Sequence, residues 1–440
     1  MHENLMEKII SLAKRRGFIY PGSELYGGLA GTYDYGPLGT LLKRNIQKSW
    51  IKYFIEFRDN IYLIDTPILM HPRVWEASGH TAEFIDPLVE CQKCKHRFRA
   101  DQIEDLKTCA DCGGELGDAR NFNLMLETKM GAVAETAVTT YLRPEEAQSM
   151  FVNFKNIMDS FSPKIPFGIG QIGKAFRNEI TPRDFTYRLR EFEIMEFEYF
   201  IRPDSNWEEV FDGFLEDQKS WLGSIGVDVS KLHALEHPAE GRAHYSKKTV
   251  DLEFEYPFGT KELTGLSHRG EYDLRRHQEF SGTSLEVLDE ATGEKFLPHV
   301  IEPTVSSDRA ILALLCSAYS EEGTGDDTRV FLKLPPAIAP YKAAVSPLLK
   351  NKPELVDKAR EVYTMLKKEF GWIAWDDNGN IGKRYRRQDE IGTPYCIVID
   401  FDTLGENADL LDTVTIRDRD TGAQERVAIS ELVSKIKSQL

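Results

Sequence analysis

No uninterrupted apolar run in the 440 residues approaches the roughly 20 that a membrane-spanning helix needs; AILALLCSAY, residues 310–319, is short enough to belong inside a core. No membrane partner is therefore expected. The first residues, MHENLMEKIISLAKRRGFIY, lack the ordered basic, apolar and small-residue regions of a secretory leader, because Lys14, Arg15 and Arg16 follow the apolar stretch, so a cytoplasmic protein is expected. There is no internal repeat and no low-complexity tract. There is also no G-x-x-x-x-G-K-[ST], and no G-x-G-x-x-G follows a strand, so a nucleotide would be bound by neither a P-loop nor a dinucleotide-type turn. Positive charge is in deficit: a net charge of −16 argues against a surface that grips nucleic acid everywhere, and leaves room only for a local patch. Lys383-Arg384-Tyr385-Arg386-Arg387 is the candidate patch; the plainer alternative is a solvated helix face.

Cysteine is scarce, and the placement of the six is informative. Cys91-x-x-Cys94 and Cys109-x-x-Cys112 enclose a charged segment, and Gly113-Gly114 follows. Two tight turns, each presenting two sulfurs, suit one tetrahedral zinc ion, and four thiolates leave no open position, so such a zinc would be structural. The alternatives are reduced thiols without metal, or disulfides, which the compartment disfavours. Cys316 and Cys396 lie in apolar surroundings and read as small buried hydrophobes.

Apolar residues recur at helical spacing from Leu38 to Phe57, after a glycine-rich turn system, GGLAGTYDYGPLG. IYLIDTPILM reads as a strand in which Pro67 demands an edge or interface position. A polar Cys-rich insertion over 86–120 then separates 1–85 from a catalytic core over 121–327. Within that core PFGIGQIGKAFRNEI and LREFEIMEFEYFI read as two strands joined by a polar loop, and TVDLEFEY and KELTGL as two more. Ser205-Asn206-Trp207-Glu208 reads as a capping box before a helix, and a further helix is predicted from about Ser306. EEGTGDDT, residues 321–328, reads as a linker to a compact α/β domain over 328–440.

The strand pair is dense in charge. Arginines held on a sheet suit polyphosphate, since a planar guanidinium binds phosphoryl oxygens bidentately and stays charged; Arg177, Arg188 and Arg190 are the candidates, and Arg309, at the start of a helix whose field favours anions, is another. Phe192 is placed to stack on a purine, and Glu193, Glu196, Glu262 and Glu302 suit an ammonium or a phosphate-bridging Mg²⁺. On residue types alone, a solvent-exposed hairpin laced with ion pairs fits equally well.

The hairpin AFRNEITPRDFTYRLREFEIMEFE resembles the second signature of class II aminoacyl-tRNA synthetases, with Arg-x-Glu on one strand and an aromatic on the other. The long helix followed by the Pro67 strand, and Glu302-Pro303 leading to Arg309, resemble the other two signatures. GTYDYGPLG, LRPEEAQSMFVNF, REFEIMEFEYF and KRYRRQDEIGTPYCIVIDFD are similar to the homodimeric type of the glycyl-tRNA synthetase family, in the family's order along essentially the whole chain. The resemblance implies an α+β fold, an antiparallel sheet flanked by helices, followed by a C-terminal α/β anticodon-binding domain. It implies glycine, ATP with Mg²⁺ and tRNA-Gly as ligands, a homodimer, and activation of glycine as an adenylate before transfer to tRNA. ATP would lie against Arg177, Asn178 and Glu179, against Tyr187, Arg188, Leu189, Arg190, Glu191 and Phe192, and against Glu262, Leu263, Ser306, Ser307, Asp308 and Arg309. Glycine would lie against Arg99, Glu145, Phe192, Glu193, Ile194, Met195 and Glu196, and against Glu302, Pro303, Thr304, Val305 and Ser306. Arg177 and Arg309 would be catalytic, and Lys383, Arg384, Arg386 and Arg387 would meet tRNA. The family's Glu-Pro-Ser-x-Gly is here Glu-Pro-Thr-Val-Ser, and Glu146 and Ser149 stand where Thr and Gly are usual, all four changes being expected near the amino-acid pocket. Two other readings are an inactive accessory protein that keeps the fold, which loss of Arg177, Phe192 or Arg309 would favour, and a class II ligase for another small amino acid.

Overall fold

A computed structural model describes every residue except Met1, Glu104, His244, Ala291, Asp326 and Asp327. Helix α1, Pro37–Trp50, begins with proline at its first turn, where no N–H is missed, and runs on through a wider turn over Ile51–Glu56. Leu38, Leu42, Ile46, Trp50 and Phe54, one every fourth residue, are buried on one stripe. Phe57, which the periodicity included, lies beyond the helix and is 74% exposed. Gly39 lets this helix touch the chain before it, since a Cβ there would lie 1.9 Å from the Phe18 carbonyl oxygen.

The helix packs on a seven-stranded sheet. Its strands are β1 (Ile61–Leu63), β2 (Phe167–Phe176), β3 (Glu191–Ile201), β4 (Leu232–Glu236), β5 (Lys248–Tyr256), β6 (Gly259–Gly270) and β7 (His299–Ser306), in the order β4-β5-β6-β7-β3-β2-β1. All neighbours are antiparallel except the edge pair β1 and β2. Side chains alternate across it with period two. Met195, Phe197 and Ile201 of β3, with Ile301 and Val305 of β7, join the core built with α1, α3 (Trp207–Ser224) and α5 (Ser307–Ala318). Phe200 and Val300 face the other way, into a second core with α2 (Ala147–Phe161) and α4 (Tyr272–Ser281). The sheet therefore has one fully covered face, and a second face whose upper part is left open above that core.

Three local expectations are revised. The strand predicted over IYLIDTPILM is only Ile61–Leu63, and Pro67 lies past its end because proline cannot donate to a ladder. The capping box does not form: Asn206 is the residue before α3, without a side-chain cap, and Ser205 Oγ donates instead to the Arg202 carbonyl at 2.5 Å. The acidic stretch read as a linker joins two paired strands, Tyr319–Glu322 and Arg329–Leu332, with Asp326 and Asp327 outside the described residues. Leu332 and Leu334 belong to the main core, so that core reaches past the expected junction at 327/328.

The Cys-rich region is a small sheet, with Ile85–Glu90 between Arg97–Arg99 and Arg120–Asn123. Beyond residue 340 a second sheet has its own core. Strands β8 (Ala344–Pro347), β9 (Ala374–Trp375), β10 (Tyr395–Ile399), β11 (Thr413–Asp418) and β12 (Gln424–Ala428) lie in the order β9-β8-β10-β11-β12. Helix α6, Pro353–Phe370, buries Leu355, Ala359, Val362 and Leu366 against it, and α7, Ile381–Glu390, lies beside it. Among the described residues no helix is long and apolar enough to cross a membrane.

Candidate active site

The open part of the sheet holds a cavity of about 400 Å³, walled by the loop between β2 and β3, by β3, β5, β6 and β7, and by the start of α5. The pleat decides which residues of each strand reach it. From β3 these are Phe192, Ile194 and Glu196; from β7 they are Glu302, Thr304 and Ser306, with Val305 at the margin. Glu193 and Met195 point to the opposite face, where Glu193 Oε2 takes the Lys43 ammonium at 2.5 Å and Met195 is fully buried. The expectation that both line the amino-acid pocket is thus corrected by the period-two geometry of a strand. Pro303 is likewise absent from the lining, and Ser307 and Asp308 point away. Asp308 accepts from Tyr35 Oη at 2.5 Å and from the Glu193 amide at 2.8 Å, while Ser307 is buried beside Gln47.

At one end of the cavity the cations gather. Arg177, Arg188 and Arg309 line it together with Glu179, Tyr187, Leu189, Glu262 and Leu263. Arg177 and Arg188 sit on the β2–β3 loop, not on the strands where the sequence pattern places them, whereas Arg309 sits at the helix start as expected. That loop is nevertheless fixed: Phe185, Tyr187 and Leu189 are buried, and the Arg190 amide donates to the Gly31 carbonyl at 2.8 Å. Arg177 Nε donates to the Pro144 carbonyl at 3.1 Å, and its guanidinium lies 5.3 Å from the rings of both Phe84 and Phe192. Arg309 Nη1 meets Glu262 at 2.9 Å and lies over the Tyr187 ring, and Arg188 Nη1 meets Glu179 at 3.3 Å. Asn178, Arg190 and Glu191 do not line the cavity. Arg190 donates to the carbonyls of Ala30 and Glu179, and Glu191 pairs with Lys174. Ser306, where the family has glycine, accepts from the Arg309 amide at 3.4 Å and so caps α5.

The other end is acidic. Glu145 at the start of α2, Glu196 and Glu302 face inward, and Arg99 reaches the same cavity from the small sheet, paired to Asp86 at 2.8 Å and to Asp101 at 2.8 Å. Burial opposes ionisation of Glu145, but His80 at 3.2 Å and Arg269 at 3.7 Å outweigh it and hold the carboxyl below its usual range. Burial, and then the neighbouring Glu145, push Glu196 up to about 8. Glu146 and Ser149, two of the four departures from the family pattern, do not line the cavity. Glu146 is fully buried against Arg143 at 3.0 Å, and Ser149 Oγ donates to the Glu146 carbonyl. The methyl of Thr304, by contrast, is in the lining and sits opposite Gly265.

Several site residues carry no signal in the sequence. Asp86, Tyr245, Thr249 and Asp251 line the cavity from segments without a motif, and Arg269 lies behind the lining, against Glu302 and Tyr245. Arg269 is fully buried, with Asp273 at 2.8 and 2.9 Å, Glu302 at 2.6 Å and the Tyr245 ring centre at 3.8 Å.

The four clustered cysteines meet as the spacing predicts. Their sulfurs lie within 4.8 Å of one another, with Cys91 to Cys112 at 3.5 Å and Cys94 to Cys109 at 3.7 Å. A tetrahedral ion with sulfurs at about 2.3 Å requires sulfur separations of about 3.8 Å, so the set fits zinc. A Cβ at Gly114 would lie 3.1 Å from Cys91 Sγ, which accounts for a glycine there.

The cationic segment is revised. Of the four cations on α7 only Lys383 and Arg386 are exposed. Arg384 is 3% exposed and donates to the carbonyls of Pro347, Asp377 and Gly379, and Arg387 is clamped on Asp376 at 2.6 and 3.0 Å. These two cations hold the domain together and are not free for phosphate.

The chain matches the Anticodon binding domain family over residues 342–439. A glycine–tRNA ligase of Treponema denticola is 47% identical over 449 residues, with 100% of this chain and 98% of the relative covered. One from Alkaliphilus metalliredigens is 48% identical over 458 residues, covering 97% of this chain and 96% of that protein. Among solved structures, prolyl-tRNA synthetase of Giardia lamblia in complex with prolyl-adenylate superimposes with a TM-score of 0.71 at 15% identity, over 98% of this chain and 75% of the other.

Proposed function

The chain belongs to the glycine–tRNA ligase family, and from that premise we propose how its cavity divides the two substrates. The ligase joins glycine to ATP as glycyl adenylate with release of pyrophosphate, then passes the glycyl group to the 3′ end of tRNA-Gly. One observation supports the division: a single cavity has Arg177, Arg188 and Arg309 at one end and Glu145, Glu196 and Glu302 at the other. Polyphosphate belongs with the arginines, and an ammonium with the carboxylates.

In this reading Arg309 holds the γ-phosphate, Phe192 stacks on adenine, and Glu179 meets the base edge. Arg177, at the arginine end beside Phe192, binds the α-phosphate while the glycine carboxylate attacks it. The new bond joins the carboxylate oxygen to the α-phosphorus; the bond that breaks releases pyrophosphate. No protein nucleophile is needed, and the rate comes from positioning and charge stabilisation. Thr304 with its extra methyl, in the small space beside Gly265 and Glu196, excludes side chains larger than hydrogen. Mg²⁺ bound with ATP would supply charge neutralisation at the phosphates. Of the carboxylates near the nucleotide, Glu302 is buried against Arg269, whereas Glu262, paired with Arg309, is half-exposed at the phosphate end and is the residue that would hold it. The Cys91, Cys94, Cys109 and Cys112 site holds a structural zinc. tRNA meets Lys383 and Arg386 at the anticodon end. The enzyme acts as a homodimer in a reducing cytoplasm, in keeping with cysteines that are all unpaired.

Purified protein is expected to exchange radiolabelled pyrophosphate into ATP only when glycine is present; exchange independent of any amino acid would sink the assignment. Metal analysis is expected to find about one zinc per chain, lost in Cys91→Ser. Equal zinc in both proteins would remove the metal from the account.

A further inference from the structure

Beneath the carboxylate end the acids continue into the core. Glu198 follows Glu196 on the same face of β3, and the register, which sets Glu196 opposite Thr304, brings Glu198 beside Glu302 of β7. Each of Glu196, Glu198 and Glu302 places an oxygen within 4.8 Å of the other two. Glu302 has a counterion in Arg269, at 2.6 Å. Glu198 has none in contact: it is fully buried, and neither of its oxygens has a hydrogen-bond donor. One oxygen of Glu196 is in the same condition. A carboxylate sealed from water without donors is too costly to stay charged, and it takes up a proton instead. As an acid it gains an O–H to give, and the acceptors within reach are the neighbouring carboxylates.

We propose that Glu198 is a positioning residue for the amino acid: a buried carboxylic acid whose O–H is donated to the Glu196 and Glu302 pair and fixes the oxygens that face the glycine ammonium. The charged groups packed around it agree. They are Glu196 on its own strand, Glu302 on β7, Arg269 on β6 and Asp273 on α4. Burial, and next Glu302, raise the Glu198 carboxyl well above its usual range, with Arg269 opposing. Below that raised pKa the donor is present. Above it the donor is lost and an unpaired buried charge appears, so glycine binding weakens on the alkaline side. Glu198 itself does not touch the substrate. The inference rests on glycine occupying the carboxylate end.

The test measures glycine KM and ATP KM by pyrophosphate exchange from about pH 6 to about pH 9.5, in wild type, Glu198→Gln and Glu198→Leu. Glutamine keeps a neutral donor, so both KM values at neutral pH stay within about threefold of wild type, and the alkaline rise in glycine KM shrinks to the part that loss of the substrate's own ammonium proton imposes. Leucine removes the donor, so glycine KM rises about tenfold while ATP KM holds. Glutamine as damaging as leucine, or an alkaline limb unchanged in the glutamine variant, would overturn the proposal. If the leucine variant does not fold, the pH profile of the glutamine variant decides alone. A wild-type enzyme that shows no glycine-dependent exchange contradicts the substrate assignment instead, so the two failures are distinguishable.

Discussion

Arg177→Ala is expected to lower the rate of glycine-dependent pyrophosphate exchange by about 100- to 1,000-fold, with the fold intact. Removing one preorganised donor from a developing oxyanion costs about 3–4 kcal/mol in a water-poor site. Arg177 is such a donor: a carbonyl and two aromatic rings hold it in place, and among the described residues no carboxylate neutralises it by contact. Its charge is therefore free for the reacting phosphate. Because no carboxylate is left unpaired by its removal, the thermal midpoint is expected to change little. Lysine does not rescue the rate, since a point ammonium cannot reproduce a planar fork seated between rings. A variant with near-normal exchange would move the reaction away from this end of the cavity.

Arg269→Leu is expected to act on stability first and activity second. The guanidinium is fully buried and bridges Asp273 and Glu302 at contact distance, with Glu145 at 3.7 Å. Deleting one partner of a buried ion pair leaves uncompensated charge and costs about 3–5 kcal/mol. Here several carboxylates lose their common counterion, so the upper end of that range applies, read as a large drop in thermal midpoint or loss of soluble protein. Lysine restores little, because it cannot make the paired contacts to Asp273. A midpoint unchanged by the leucine substitution would show that the acids beneath the cavity are already protonated, and that the arginine is dispensable.

The two variants also mark what could be read without coordinates. The strand pair around Arg177 and Phe192 was legible because β-branched and aromatic residues alternate with charge and the connecting loop holds a proline. The face each carboxylate takes was less so. REFEIMEFE has an acid on both faces, and only the apolar partners Met195 and Phe197, which need the α1–α3–α5 core, send Glu193 away and Glu196 inward. Arg269 left no trace at all: it ends β6 next to a glycine, in no motif, and its three acids come from an adjoining helix, the middle of β7 and the start of α2. Arg384 misled for a related reason. A cation reads as solvent-facing unless its partners are visible, and its partners are backbone carbonyls, which every sequence has and none displays. The cysteine spacing needed no such help, since two short turns already set four sulfurs at the edges of a tetrahedron.

The most direct test of the divided cavity compares kcat/KM for pyrophosphate exchange with glycine, alanine and serine on the purified enzyme. The carboxylate end, with Thr304 beside Gly265, predicts glycine favoured over alanine and over serine by about 100-fold or more. Equal or higher values with alanine or serine would contradict it.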